Sequence, residues 1–509
     1  MLKASSYKKG LLSSVGLNVL AKGAFFLNTL VIAYYFGAGQ STDMYYFVIG
    51  VAILISSGII NNMDSIIIIP EAMRLRQVEG EKKSRQFLNF FIVLYFLIGV
   101  LLFCIVIFVP VFFYSIFSKF DQTILLQHKP MLYAGGALLG LQLLNNFLGA
   151  ILNSYKYFSI AIIASLVTSV VSILCTILLY ERWGIASTLY AVLGSSIVNF
   201  ILLFFLFKNN LKWRFTDLCF LKNKNIWTNI CLFQINILPV WLRNYATLFL
   251  LSGLGDGIVT AVNISLQVVG ALDALLVAQV LSVIGIKLNE LYVQNNFISM
   301  NIIINKAAKV LLIISLPITA VIFFNADYIA SLIFGNKNIT PDKINSIAIC
   351  LKCLILISPL MILNSFCTKI IAASQLLRKG LLYVIIAHTL FLIIVIVLIN
   401  LLKLNGYLYG MIIGYITIIF CYYLLFKTHL KQINFLKLLV FMASQAILNF
   451  AFAAIVFYIM KYVGGYNNVV NILIALTIQA IFIIILHKKK ISLNFITNLA
   501  FDANTENDK

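Results

Sequence analysis

Fourteen long apolar stretches follow one another along this chain, with no segment between them large enough for a soluble domain. A helix needs roughly 20 apolar residues to cross the hydrocarbon core of a bilayer. The sequence is 62% hydrophobic and only 10% charged, so a soluble protein of this length would be unable to bury its apolar surface. These features predict an all-α polytopic membrane protein with 14 transmembrane helices.

The stretches are too long and too uniformly apolar for barrel strands, which alternate over about ten residues. We expect the spans at 11–36, 44–69, 87–115, 130–152, 157–180, 184–207, 226–250, 257–285, 307–325, 344–372, 381–402, 405–426, 436–461 and 467–487.

Lys and Arg concentrate in every second connecting segment, which sets the expected orientation because such residues are retained on the cytoplasmic side. The clusters lie within 3–9, 74–85, 208–224 and 488–490. They predict a multi-pass protein of the bacterial cytoplasmic (inner) membrane with both termini in the cytoplasm. The net charge of +21 is then explained by topology and contact with anionic membrane lipids, rather than by nucleic-acid binding.

Two short matches at nearly constant spacing indicate an internal repeat. The pattern G-x-G-x-x-T occurs at 37–42 and again at 255–260, and Leu-Asn-Asn-Phe at 144–147 is similar to Leu-Asn-Ser-Phe at 363–366. Repeats of six helices insert with the same orientation, which predicts two pseudo-symmetric lobes related by an axis along the membrane normal. We therefore expect an N-terminal lobe at 1–207, a C-terminal lobe at 226–426, an extra helix pair at 436–487 and a cytoplasmic tail at 488–509.

Polar residues recur at helical spacing in the first two spans of each predicted lobe. Ionisable groups within spans are costly and usually face a cavity or a partner. The pattern favours a hydrated cavity with two fixed positive charges; the alternative is helix–helix contact, with Lys22 paired to Asp64. The candidate cavity residues are Asn18, Lys22, Thr29, Ser57, Asn61, Asn236, Arg243, Asn263 and Gln267. Asp64 and Asp273 are candidate coupling sites.

A basic cavity suits an anionic cargo, and a pyrophosphate group offers strong acceptors to Lys and Arg. The chain has no catalytic constellation on its short outer loops, no metal-binding pattern and no P-loop. We therefore expect a transporter without a cofactor, driven by a gradient or passive. The alternatives are a cation-coupled antiporter of drugs or other small molecules and a membrane-embedded glycan polymerase or ligase.

The segment Phe36-Gly37-Ala38-Gly39-Gln40-Ser41-Thr42-Asp43 resembles the F-G-A-G-x-x-T-D motif of the MurJ/MviN family of lipid-linked glycan flippases. This family belongs to the multidrug/oligosaccharidyl-lipid/polysaccharide (MOP) exporter superfamily, which also contains the MATE antiporters. Pro70 and the segment 326–342 fit the same family pattern, and the resemblance extends over nearly the whole chain.

The resemblance implies a V-shaped, two-lobe fold that moves an undecaprenyl-pyrophosphate-linked saccharide from the inner to the outer leaflet by alternating access. Separately, we expect a monomer in which Gly37, Gly39 and Asp43 form a hinge or gate. The chain departs from the family at cavity arginines, having Lys22 and Asn28 in the first span, Ser56 and Ser57 in the second, and Leu266 or Gln267 in the eighth. Lipid II, a peptidoglycan precursor, and a surface-polysaccharide repeat unit therefore both remain candidate cargoes.

Overall fold

The computed structural model describes residues 7–60, 63–155, 157–215, 224–276, 296–335, 339–374, 377–431, 433–463 and 468–487, with a few single positions between 284 and 294. All the regular secondary structure in these ranges is helical. The residues form two compact units, Met1–Thr260 and Ala261–Lys509.

The described residues of the first unit form ten α-helices, a π-helix and the start of another α-helix. They are α1 (Tyr7–Phe36), α2 (Gln40–Ile59), a π-helix (Asp64–Ile68), α3 (Ile69–Val78), α4 (Glu81–Phe108), α5 (Pro110–Ser115), α6 (Gln122–Gln127), α7 (Lys129–Ser154), α8 (Phe158–Trp183), α9 (Ala186–Asn210), α10 (Lys224–Leu251) and α11 (Ile258–Leu276).

The helices of the second unit follow the remainder of α11. They are α12 (Phe297–Phe324), α13 (Ala326–Phe334), α14 (Pro341–Ile355), α15 (Ser358–Ala373), α16 (Leu377–His429), α17 (Phe435–Val463) and α18 (Asn468–His487).

Within the described ranges, eight helices are long and apolar enough to cross a membrane, and a ninth is added if α14 and α15, bent by 40°, count as one broken span. Helix α16 is interrupted at Lys403 (φ 52°), between two of the predicted spans. Its two segments pack against each other after this interruption. The close contacts show this: a Cβ on Gly410 would lie 3.1 Å from the Cα of Val395, and a Cβ on Gly414 would overlap Phe391.

Proline and glycine set several helix boundaries in the first unit. Helix α1 ends before Gly37, which has a φ of 68°, and α4 follows Gly80, which has a φ of 90°; both values favour glycine. Pro110 begins α5, because proline lacks an N–H and is tolerated in a first helical turn. The single span predicted at 87–115 is therefore divided near residue 109.

Close packing of α4 against α7 depends on glycine. A Cβ on Gly140 would lie 3.3 Å from the carbonyl oxygen of Gly99, so the two backbones approach directly, as small residues allow in membrane helices. Around this contact lies an apolar core that includes Tyr95, Leu143 and Phe147.

The span predicted at 44–69 is not one continuous α-helix. Helix α2 ends at Ile59, and the π-helix that starts at Asp64 leads into α3, where Pro70 removes an N–H donor. The α-helical spacing that placed Asp64 on the same face as Ser57 is therefore lost, and the position of Asp64 has to be taken from its contacts.

Candidate gate and cavity residues

Asp43 joins the two copies of the G-x-G-x-x-T motif. Its carboxylate accepts hydrogen bonds from the backbone N–H groups of Gly257 (2.5 Å) and Thr260 (2.7 Å) and from the Thr260 hydroxyl (2.6 Å). Asp43 is 1% exposed and Thr260 is fully buried. We call this group of three residues the Asp43 latch.

The two turns prepare this contact in different ways. In the first turn, the Thr42 hydroxyl donates to the carbonyl of Gly37 (3.1 Å) and closes the turn on itself. In the second turn, Gly255 and Gly257 have φ values of 125° and 86°, which leave the first N–H groups of α11 directed toward Asp43. An acidic group at a helix N-terminus is favoured both by these free donors and by the helix dipole.

The C-terminal end of α10 is held near the latch by segment 116–119. The backbone N–H of Lys119 donates to the Ser252 hydroxyl (2.7 Å), and the Tyr245 hydroxyl donates to the carbonyl of Ile116 (2.8 Å). The Lys119 ammonium lies 5.5 Å from the ring centre of Phe249. The turn between α10 and α11 is therefore fixed from two sides.

Further along, α10 is bonded to backbone carbonyls of α2. The Trp241 indole N–H donates to the carbonyl of Leu54 (3.0 Å), and the Gln234 amide donates to the carbonyl of Ile59 (2.9 Å) at the end of α2. A Cβ on Gly58 would lie 2.6 Å from the indole, so glycine is what admits Trp241. A pocket of about 300 Å³ is lined by Gly58, Ile59, Gln234 and Trp241 together with Ile55, Ile237 and Leu238.

The two predicted cavity cations are not enclosed in the core of the first unit. Lys22 is exposed on α1, and Arg243 is half-buried and donates to the side-chain oxygen of Asn244 (3.0 and 3.3 Å). No ion pair between Lys22 and Asp64 occurs among the described residues; the buried carboxylate of Asp64 accepts a hydrogen bond from the Tyr95 hydroxyl (2.9 Å).

Two of the predicted polar residues form local bonds along their own helices. Thr29 is buried and donates to the carbonyl of Phe25 (3.4 Å), while half-buried Ser57 donates to the carbonyl of Leu54 (2.9 Å). Asn263 and Gln267 are half-buried on α11. Such bonds satisfy a hydroxyl within a helix, so Thr29 and Ser57 keep less free polar capacity than their spacing indicates.

Four predicted residues lie wholly or partly outside the part of the chain that the structure describes. Asn61 is outside it altogether, and for Asn18, Asn236 and Asp273 only the helical backbone is described. Among the residues that are described, no three His, Cys, Asp or Glu side chains lie close enough to hold a metal ion.

Sequence reasoning identified the turn at Gly37, Gly39 and Asp43 but missed the aromatic residues of α10 that contact α2 and segment 116–119. Trp241, Tyr245 and Phe249 stack face to face, with ring centres 5.7 and 6.0 Å apart. Their spacing of four residues places them on one helix face. That aromatic stripe was the available signal, although an aromatic stripe alone does not reveal which helix it contacts.

Comparison with known proteins gives the family. A family model described as "Lipid II flippase MurJ" matches residues 32–479. The chain belongs to the MurJ family. This confirms the resemblance predicted from the motif at 36–43, and it fits a multi-pass inner-membrane transporter rather than an enzyme.

A curated relative, "Probable lipid II flippase MurJ" from Borreliella burgdorferi, is 23% identical over 339 residues. The matched region covers 65% of this chain and 66% of the relative, just under two thirds of its length.

Two solved structures show the fold. A structure described as "Lipid II flippase MurJ, inward closed conformation" has a TM-score of 0.73 at 17% identity and covers 94% of this chain and 99% of its own. The structure of an inward-facing multidrug resistance MATE transporter of the MOP superfamily has a TM-score of 0.63 at 14% identity. The match covers 85% of this chain and 97% of the transporter. Since both classes share the fold, the family match and not the fold separates the flippase from the antiporter.

Proposed function

We propose that this protein is a flippase that moves an undecaprenyl-pyrophosphate-linked saccharide from the inner to the outer leaflet by alternating access. The match of the MurJ family model to residues 32–479 carries the proposal. The saccharide is that of lipid II or of a surface-polysaccharide repeat unit, and the protein acts as a monomer in contact with membrane lipids.

In this proposal the chain crosses the membrane fourteen times with both termini in the cytoplasm. Residues 1–207 and 226–426 form the two lobes, and 436–487 form an extra helix pair. Lys22 and Arg243 bind the pyrophosphate in a hydrated cavity, helped by the neighbouring polar residues. The exposure of Lys22 and the partial exposure of Arg243 support this role, because cations enclosed in the core would be inaccessible to a cargo.

The Asp43 latch supplies the gate. In this proposal the turn after α1 separates from the turn before α11 in one state and joins it in another, and the bonds of Asp43 to Gly257 and Thr260 support such a joint. Charge-assisted bonds to a carboxylate are strong and strongly dependent on geometry, so a small shift breaks several of them together.

The cavity hypothesis is tested by rescue of bacterial cells depleted of their lipid II flippase. We expect Lys22→Gln and Arg243→Gln each to reduce rescue at least about tenfold, since each removes a charge from the pyrophosphate site. Lys129→Gln, which removes an exposed cation at the start of α7, is the matched control and should rescue normally. Full rescue by the Lys22/Arg243 double variant, at normal membrane levels, would contradict the proposal.

If the wild-type chain does not rescue these cells, the same variants are assayed in cells lacking a flippase for surface polysaccharide. Rescue there assigns the cargo to a polysaccharide repeat unit. Absence of rescue in both strains, with the protein present in the membrane, would contradict flipping itself.

A further inference from the structure

Asp64 is a carboxyl group in the apolar core of the first unit. It is 4% exposed, and its partner Tyr95 is 1% exposed and packs edge-on against Phe147, with ring centres 5.0 Å apart. Oδ1 of Asp64 accepts the Tyr95 hydroxyl at 2.9 Å. One neutral donor does not replace the hydration of an ionised carboxylate in such surroundings, and buried acids of this kind take up a proton instead.

Among the described residues, Asp64 forms no ion pair with the helices packed against the π-helix. Those helices are α3, α4, α7 and α10. None of the other titratable or charged side chains described on these helices hydrogen-bonds or pairs with Asp64. Glu71 forms an ion pair with Arg74, and Glu81 forms ion pairs with Arg76 and Arg85. The Lys129 ammonium lies over the ring of Tyr133, Arg243 donates to Asn244, and the Tyr245 hydroxyl donates to Ile116. The remaining groups are Lys82, Lys83 and Cys104 on α4 and Cys231 on α10.

The backbone at Asp64 is irregular. The π-helix Asp64–Ile68 begins at this residue, the N–H of Ile69 bonds to the Asp64 carbonyl, and Pro70 follows within α3. Short π-helical turns inside membrane helices are frequent at functional sites and mark places where a helix changes its path. Asp64 therefore lies where the chain bends between α2 and α3, so a change in that bend would move its carboxyl group.

We propose that Asp64 and Tyr95 form a proton-binding site whose occupancy is linked to the bend between α2 and α3. In the described geometry the carboxyl carries a proton. When the bend changes and water reaches the site, the O–H bond breaks, the proton passes to water, and the Tyr95 hydroxyl continues to donate to the carboxylate. The inference rests on the proposed flippase function and names the proton as the ion that drives it.

The linkage follows from thermodynamics. A ligand shifts a conformational equilibrium only by its difference in affinity for the two states. A proton bound tightly in the dry geometry and weakly in a hydrated one supplies that difference, so a transmembrane proton gradient biases the movement. A purely structural Asp64–Tyr95 contact would have no such dependence.

The protonated state is tested without cargo, by infrared spectroscopy of the purified full-length protein. We expect a C=O stretching band of a protonated carboxyl at neutral pH. Asp64→Asn, which keeps the shape and the acceptor for Tyr95, removes the band. Tyr95→Phe keeps the band but shifts its frequency, because the hydrogen bond to the carbonyl is lost. Asp121→Asn, at an exposed position, leaves it unchanged. A neutral-pH spectrum identical in wild type and Asp64→Asn overturns the proposal.

The conformational link is also tested without cargo. Ser41 is exposed beside the Asp43 latch, and a Ser41→Cys variant is alkylated and followed by mass spectrometry at mildly acidic and mildly alkaline pH. The intrinsic pH dependence of the thiol is common to all variants. We expect an additional change of about threefold or more that Asp64→Asn abolishes and Asp121→Asn retains. Equal pH dependence with and without Asp64→Asn overturns the linkage.

Flipping is then measured with lipid II in vesicles under an imposed pH gradient. The wild type and Asp121→Asn should respond to the gradient, whereas Asp64→Asn should flip at a rate independent of it. An Asp64→Asn response equal to the wild type overturns the proposal. If neither the wild type nor any variant flips lipid II, lipid II is not the cargo. The infrared and alkylation results then determine whether Asp64 is a proton-binding site.

Discussion

The side chain of Asp43 connects the turn after α1 to the start of α11. It is a buried carboxylate with three donors, two of them backbone N–H groups of a turn more than 200 residues away in sequence. A hydrogen bond to a charged group contributes about 1.5–3 kcal/mol, more than a neutral one. We therefore expect substitutions of Asp43 to weaken the contact between the two turns.

Asp43→Asn should open the latch. An amide replaces one acceptor oxygen with an NH₂ group, so at least one N–H of Gly257 or Thr260 loses its acceptor. We expect a Ser41→Cys reporter to be alkylated roughly tenfold faster, equivalent to ~1.4 kcal/mol, with reduced rescue of flippase-depleted cells. Thr260→Val removes only the hydroxyl and should have a smaller effect. Unchanged alkylation in Asp43→Asn would show that the latch does not hold the turns together.

Prediction from sequence reached part of this site. The Gly and Asp residues at 37–43 have strong local preferences for a turn and a helix start, so they were recognisable. The partners of Asp43, Asp64 and Trp241 were not, because a side chain's partner depends on which helices pack together. Asp64 was placed on a continuous helix face that the π-helix interrupts.

At the scale of helices, α10 packs against α2 at a glycine of α2, Gly58. Trp241 occupies the space left by Gly58 and reaches the carbonyl of Leu54.

Gly58→Ala should lower the free energy of unfolding by about 1–3 kcal/mol, because the added methyl would overlap the indole. Gly149 on α7 is the matched control, since a Cβ there meets nothing within 4 Å; Gly149→Ala should be neutral or stabilise by about 0.5–1 kcal/mol. Thermal unfolding of the purified protein in detergent measures both. Equal destabilisation by the two changes would disprove the steric argument.

A second joint between elements lies at the start of α4. Glu81 accepts from Arg85 (2.9 Å) and from the Tyr155 hydroxyl (2.6 Å), and it pairs with Arg76 (3.2 Å). Nearby, Asn89 accepts from the Trp213 indole (2.7 Å) and donates to the carbonyl of Arg214 (2.7 Å). These contacts attach the segment after α9 to α4.

Trp213→Phe should destabilise the protein by about 1–3 kcal/mol, because the hydrogen bond from the indole N–H to the side-chain oxygen of buried Asn89 would be lost. Trp183→Phe is the control: Trp183 is 51% exposed, and its loss should change stability little. Thermal unfolding followed by light scattering distinguishes them. A Trp213→Phe midpoint equal to that of Trp183→Phe would mean that the indole N–H contributes nothing.

For the whole molecule, the all-helical class and membrane insertion were predictable because apolar length is a property of local sequence. The number of spans and the arrangement of lobes depend on how helices bend and pack. Thus α16 is one long helical stretch that reverses at Lys403, and α14 and α15 form one bent pair.

The orientation is a prediction for the entire chain. A green fluorescent protein fused to the C-terminus should fluoresce, and alkaline phosphatase fused there should be inactive, because the basic segments favour a cytoplasmic C-terminus. Phosphatase fused after residue 121 should be active. The reverse pattern would require the opposite insertion.

The Asp43 latch also explains why the two G-x-G-x-x-T motifs differ at the residue that follows them. The residue equivalent to Asp43 in the second motif is Ala261, which is 1% exposed. Two identical motifs would have placed a second buried acid one position from Thr260, where like charges repel. Only the first motif carries the acid, so the two motifs are not interchangeable at this position.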